Sequence, residues 1–136
     1  MKTMDIVCGI LHDEDGYLIA RRKSVIHNNV WEFPGGKVEP FETKEEAIVR
    51  ELKEELNWDC QVDAYLCTIC DERSDLTLNV HAFLCHKVSG ELKLNAHHEV
   101  RRVASDELFD YAFEKADTPL LEALIAYEKR GLKKEN

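Results

Sequence analysis

The sequence predicts a mixed α/β fold in which one sheet is sandwiched between helices, an α/β/α arrangement. Three observations predict it. Strand-like apolar segments open the chain between residues 4 and 22. From Thr43 the apolar period changes from two to nearly four. A second helical pattern lies near the end, with Thr118 as N-cap, Pro119 at the first helical position and Gly131 just past the last turn. Strands first, one helix inserted and one helix last place helices on both faces of a sheet. A chain of 136 residues fits one domain, residues 1–136, and leaves no room for a second.

Taken in order, residues 4–11 read as a buried strand, residues 12–16 as a turn, and residues 17–22 as the returning strand. A polar loop over residues 23–29 follows; it holds His27, within reach of a ligand but assigned to none by any motif. Thr43-Lys-Glu-Glu46 is a capping box, in which Thr43 bonds the Glu46 amide and Glu46 reaches back. The helix it opens runs to about Leu56, with Asn57 as a left-handed stop and Ile48, Val49, Leu52 and Leu56 as its core stripe. Further strands are expected at residues 61–70, 76–86, 91–94 and 99–103.

Hydrophobic residues make up 44% and charged residues 33%, a globular balance without an apolar run long enough for a bilayer. The N-terminal segment carries no signal-peptide pattern, so a cytoplasmic protein is expected, with no membrane partner, as a monomer or homodimer. Five cysteines, Cys67-Thr-Ile-Cys70 among them, read as small apolar side chains in a reducing compartment. His97-His98 reads as part of a solvated loop. The net charge of −9 argues against a nucleic-acid partner, since no Lys/Arg stripe is present to neutralise phosphates. An acidic chain that takes a phosphorylated small molecule must supply cations locally.

The first helix offers the place. Glu51, Glu54 and Glu55 stand at i, i+3 and i+4 and form one acidic stripe. Oxygen-only ligands at that density suit a hard cation, Mg²⁺ or Mn²⁺; a solvated helix face reads equally well on this pattern alone. Upstream, Phe33-Pro34-Gly35-Gly36 is a turn whose glycines allow close backbone approach. A fold-back of the intervening loop lets Glu42 bridge to Arg50.

Gly36, then five residues, Glu42, then seven residues and Arg50-Glu51-Leu52-Lys53-Glu54-Glu55, resembles the Nudix box at every charged position. The chain departs from it only at the final glycine, where Asn57 stands, followed by Trp58. Trp31-Glu-Phe-Pro-Gly-Gly-Lys-Val-Glu39 and Ala116-Asp-Thr-Pro-Leu-Leu-Glu-Ala-Leu124 are similar to the MutT-like branch of that family. The resemblance implies a Mg²⁺-dependent hydrolase in which water attacks a nucleoside triphosphate and releases monophosphate and pyrophosphate. It implies metal ligation by Gly35, Glu51, Glu54 and Glu55, scaffolding by Glu42 and Arg50, and a general base at Glu51, with Glu99 as the alternative base or ligand. It implies phosphate contacts from Arg22 and Lys37, stacking by Phe33 or Trp31, and base reading by Asp117. A carboxylate at 117 accepts hydrogen bonds, which suits cytosine or an oxidised guanine, as in CTP or 8-oxo-dGTP; a helix-capping role for it is an equal reading. Some relatives carry an arginine where this chain has Leu76, which weakens a strict 8-oxo-dGTP assignment. Other outcomes are cleavage of a dinucleoside polyphosphate or nucleotide sugar, and a non-catalytic nucleotide sensor. The minimal length argues against the former and the intact carboxylates against the latter.

Overall fold

In the computed structural model, residues 2–22 and 30–135 are described. The elements run β1 (Lys2–Asp13), β2 (Gly16–Arg22), β3 (Trp31–Glu32), β4 (Gly35–Lys37), α1 (Lys44–Leu56), β5 (Asp59–Glu72), β6 (Leu76–Ser89), β7 (His97–Val103) and α2 (Thr118–Glu135). Short 3-10 segments at Ser105–Asp110 and Lys115–Asp117 lead into α2.

β1 organises the sheet. It runs parallel to β6 and antiparallel to β4, then passes at His12 and Asp13 into its pairing with β2. The strand order is β3-β2-β1-β6-β5, with β4 also on β1 and β7 on β2. Because side chains alternate along a strand, β1 feeds two cores. Val7 and Leu11 join Phe83, Cys85 and the α1 residues Ile48, Leu52 and Leu56. Cys8 and Ile10 join Ala82, Leu84 and the α2 residues Leu120, Leu121 and Leu124 on the opposite face. The sheet is therefore sandwiched between helices, as the pattern predicts. Gly9 lets α1 sit close: a Cβ there would stand 3.1 Å from Leu52 and 3.2 Å from Ile48.

α1 forms as its ends dictate. Thr43 Oγ1 accepts from the Glu46 amide at 3.1 Å, Glu46 Oε1 accepts from the Thr43 amide at 2.8 Å, and Asn57 closes the helix at φ 64°. Its buried face differs from the predicted stripe: Ala47 is buried and Val49 is only half-buried. Four other expectations are corrected. Residues 91–94 form no strand, because the Lys93 and Asn95 amides donate instead to the Leu56 and Glu55 carbonyls at the end of α1. Gly131 does not stop α2, which continues to Glu135; a Cβ at Gly131 would meet nothing within 4 Å, so neither turn nor close approach calls for a break. Thr118 is itself helical, at φ −55° and ψ −45°, because the preceding 3-10 turn already delivers the chain into α2. His97 is not in a solvated loop; pairing of β7 with β2 buries it, leaving His98 exposed.

Phe41, in the loop before α1, sits at φ 68° with its ring fully exposed. A non-glycine residue in that region carries a steric penalty of about 1–2 kcal/mol, and nothing in the packing offsets it. Phe41→Gly is expected to stabilise the protein by about 1 kcal/mol, raising Tm by about 2–4 °C. A calorimetric melt showing a lower Tm would contradict this.

Candidate active site

Arg50 ties the loop to the helix. Its Nε and Nη2 donate to the two Glu42 carboxylate oxygens at 3.1 and 2.7 Å, and Nη2 also donates to the Lys37 carbonyl at 2.9 Å. Nη1 donates to Glu51 Oε1 at 3.0 Å and to both Glu54 oxygens at 3.2 Å. Only a planar guanidinium can serve a bidentate carboxylate and three further acceptor groups at once. The hydrogen bonds from Arg50 hold the Glu42 carboxyl below its usual range.

The three helix carboxylates lie at three depths. Glu54 is the outermost, with 58% of its side chain exposed. Glu51 lies against Gly36, where a Cβ would stand 2.5 Å from its carboxylate. Burial pushes the Glu51 carboxyl up, against the opposing pull of Arg50. Glu55 is buried and accepts a 3.2 Å hydrogen bond from the Gly35 amide. Burial, with Glu32 and Glu51 nearby, pushes its carboxyl up to about 8. Two carboxylates kept high by burial and mutual repulsion, in a set made only of oxygen donors, fit a hard divalent cation that would relieve both effects. Glu51 and Glu54 here turn toward Arg50, so among the described residues no three such side chains close around a single point.

Beside them opens a cavity of about 750 Å³, bordered by Gly35, Gly36 and Lys37 and by Asp117, with Ile6, Val7 and Cys8 of β1 among its lining. That volume suits a nucleotide-sized ligand. Arg22 and Phe33 line it, Arg22 donating from Nε to Glu32 Oε1 at 2.8 Å. Phe33 is buried against Phe113, ring centroids 5.6 Å apart, so it belongs to the core and to the wall of the cavity. Trp31 is core alone: it is buried, edge-on to Tyr111 and covered by Arg101. Glu99 does not line the cavity. It lies within β7, not in a loop, and its oxygens pair with Arg21 at 2.7 Å and Arg101 at 3.4 Å. His27 lies outside the described residues.

Asp117 is half-buried in the 3-10 turn before α2. Burial, then the charges of Glu32, Glu114 and Asp71, push its carboxyl up to about 6. A folded-state value above the unfolded one means the protein is relatively favoured below about pH 4 and loses that advantage as pH rises through 6. Asp117→Asn is therefore expected to match the wild type near pH 4 and to exceed it by about 1–2 kcal/mol above pH 7, after allowance for solvent screening. Chemical denaturation at the two pH values checks it; a gain present only at pH 4 would reverse the sign.

A NUDIX domain family model matches residues 2–124. The chain belongs to the Nudix family. It is 35% identical over 127 residues to the CTP pyrophosphohydrolase of Escherichia coli K12, covering 93% of this chain and 94% of that protein. It is 36% identical over 93 residues to the 8-oxo-dGTP diphosphatase of Proteus vulgaris, covering 67% and 83%. The solution structure of the E. coli ORF135 protein superposes with a TM-score of 0.84 at 34% identity, covering 94% of this chain and 92% of that one. This Nudix chain also brings to its cavity residues that the sequence pattern alone did not single out, Glu32, Asp71 and Arg73 among them. Arg73 pairs with Asp71 at 3.2 Å at the tip of the β5–β6 hairpin, which reads in sequence as an ordinary polar turn. His97 reaches the same region from below, at 3.0 Å from Glu32.

Proposed function

We propose that this Nudix chain hydrolyses a nucleoside triphosphate to the monophosphate and pyrophosphate, using Mg²⁺ or, in its place, Mn²⁺. The observation that carries this reading is the stack of Glu51, Glu54 and Glu55 beside a nucleotide-sized cavity, with Glu51 seated on Gly36 and held by Arg50. The ion would be held by Glu51, Glu54, Glu55 and the Gly35 carbonyl. Once bound it offsets the triphosphate charge that an acidic protein otherwise repels, and polarises the phosphoryl oxygens. The oxygen of a water molecule bonds to phosphorus, the anhydride bond between the α- and β-phosphates breaks, and a proton passes to the protein. Glu51 is the proposed acceptor of that proton, since its raised carboxyl range suits a base and it borders the cavity through Gly36. Glu99 is the weaker candidate, because Arg21 and Arg101 already engage its oxygens.

Arg22 and Lys37 are proposed to meet the phosphates, Phe33 to pack on the base, and Asp117 to accept hydrogen bonds from it. An acceptor at that place selects a base presenting N–H groups, which favours CTP or 8-oxo-dGTP. The name of the E. coli relative supports the cytosine reading. The test is a turnover screen with Mg²⁺ across the common and oxidised triphosphates, a dinucleoside polyphosphate and a nucleotide sugar. A cytosine or 8-oxoguanine triphosphate is expected to give the highest kcat/KM. Preference for the dinucleoside polyphosphate or the sugar would replace this reading with those activities, and tight binding without turnover would replace it with a sensor.

A further inference from the structure

His97 is one of the buried polar side chains among the described residues. Its side chain is fully buried in β7. Nε2 lies 3.0 Å from Glu32 Oε2, and Nδ1 is buried without a hydrogen-bond partner among the described residues. An N–H left unpaired at Nδ1 costs more than a lone pair left unpaired there, so the tautomer with hydrogen on Nε2 is favoured and His97 donates to Glu32. The other Glu32 oxygen accepts from Arg22 Nε at 2.8 Å. Despite burial, the hydrogen bonds from His97 and Arg22 bring the Glu32 carboxyl below its usual range, so it stays ionised. The result is a three-member chain, His97 to Glu32 to Arg22, running from the core to the cavity wall.

Arg22 needs such an anchor. It also feels the charges of Glu55 and Glu51. Left loose, an arginine beside those carboxylates would fold onto them, where it would occupy the place of a cation and withdraw from an incoming phosphate. Glu32, fixed from beneath, competes for the guanidinium and keeps it on the cavity wall. We infer that His97 is a positioning residue for nucleotide binding, acting through Glu32 on Arg22 without touching the ligand. The inference rests on the reading of the cavity as a nucleotide site.

The test compares His97→Leu, which keeps the bulk and removes the donor, with His97→Gln, whose amide can restore a donor near the Nε2 position. Binding of a non-hydrolysable α,β-methylene CTP analogue is measured by titration calorimetry, beside KM and kcat for the best substrate. His97→Leu is expected to raise KM and the analogue Kd about tenfold, the loss of one charge-assisted hydrogen bond, with kcat within about twofold. His97→Gln is expected to lie within about threefold of the wild type. Equal losses in both variants would assign His97 to packing alone, and no loss in either would overturn the inference. Should His97→Leu fail to fold, His97→Asn, too short to reach Glu32, takes its place against His97→Gln under the same outcomes. A wild type that neither turns over nor binds any nucleotide would instead overturn the reading of the cavity itself.

Discussion

Glu54→Gln is expected to lower kcat by about three orders of magnitude while leaving the fold intact. The side chain is mostly solvent-exposed and its structural contact is the pair of 3.2 Å hydrogen bonds from Arg50, so an isosteric amide has little to disturb. An exposed ion pair of this kind contributes about 0–1 kcal/mol, which bounds the stability change. What the substitution removes is one of the three carboxyl groups that α1 sets beside the cavity, and a neutral amide is a poor ligand for a hard cation. Steady-state turnover at saturating Mg²⁺, run beside a thermal melt, separates the two effects. Unchanged turnover would remove Glu54 from the machinery.

Gly35→Ala is expected to destabilise the protein by at least about 3 kcal/mol, lowering Tm by roughly 6–12 °C. A Cβ at this position would stand 1.9 Å from the Val7 carbonyl oxygen and 2.7 Å from the Cys8 Cα. Both atoms are backbone in β1, which β4 and β6 clamp from either side, so neither can move without breaking the sheet. Gly36→Ala makes the contrasting case. Its Cβ would meet the Glu51 carboxylate at 2.5 Å, the end of a side chain that can swing away. The fold is expected to survive with Tm changed by a few degrees at most, while kcat falls about a hundredfold because Glu51 is displaced. Denaturation curves for the two variants, with kcat for Gly36→Ala, check the pair. Equal Tm losses would show that the two glycines serve the same purpose.

The helices and strands that carry strong local signals were legible before the structure. Thr43, Glu46 and Asn57 set the ends of α1 by hydrogen bonds to their own neighbours, so no tertiary contact was needed to read them. Arg50 and Glu42 were legible as a pair because their spacing turns a loop back on a helix. What was not legible depends on distant partners. Residues 91–94 look like a strand until the end of α1 supplies acceptors for their amides. Gly131 and Thr118 look like helix boundaries because those residue types favour ends, yet α2 is set by Leu120, Leu121 and Leu124 packing on the sheet. His97 carries no local sign of burial; only its pairing across β2 places it under Glu32. Asp71 and Arg73 reach the cavity because a long hairpin, paired from Asp59 to Glu72 with bulges on the way, carries its tip there.

The most direct test of the central claim is to run the reaction with Mg²⁺ in ¹⁸O-labelled water, using the best triphosphate from the screen, and to identify the products by mass spectrometry. The expected result is monophosphate and pyrophosphate in equal amounts, one ¹⁸O atom in only one of them, no free phosphate, and neither product when Mg²⁺ is chelated or Glu54 is glutamine. Diphosphate with free phosphate, or products formed equally well by Glu54→Gln, would contradict the account.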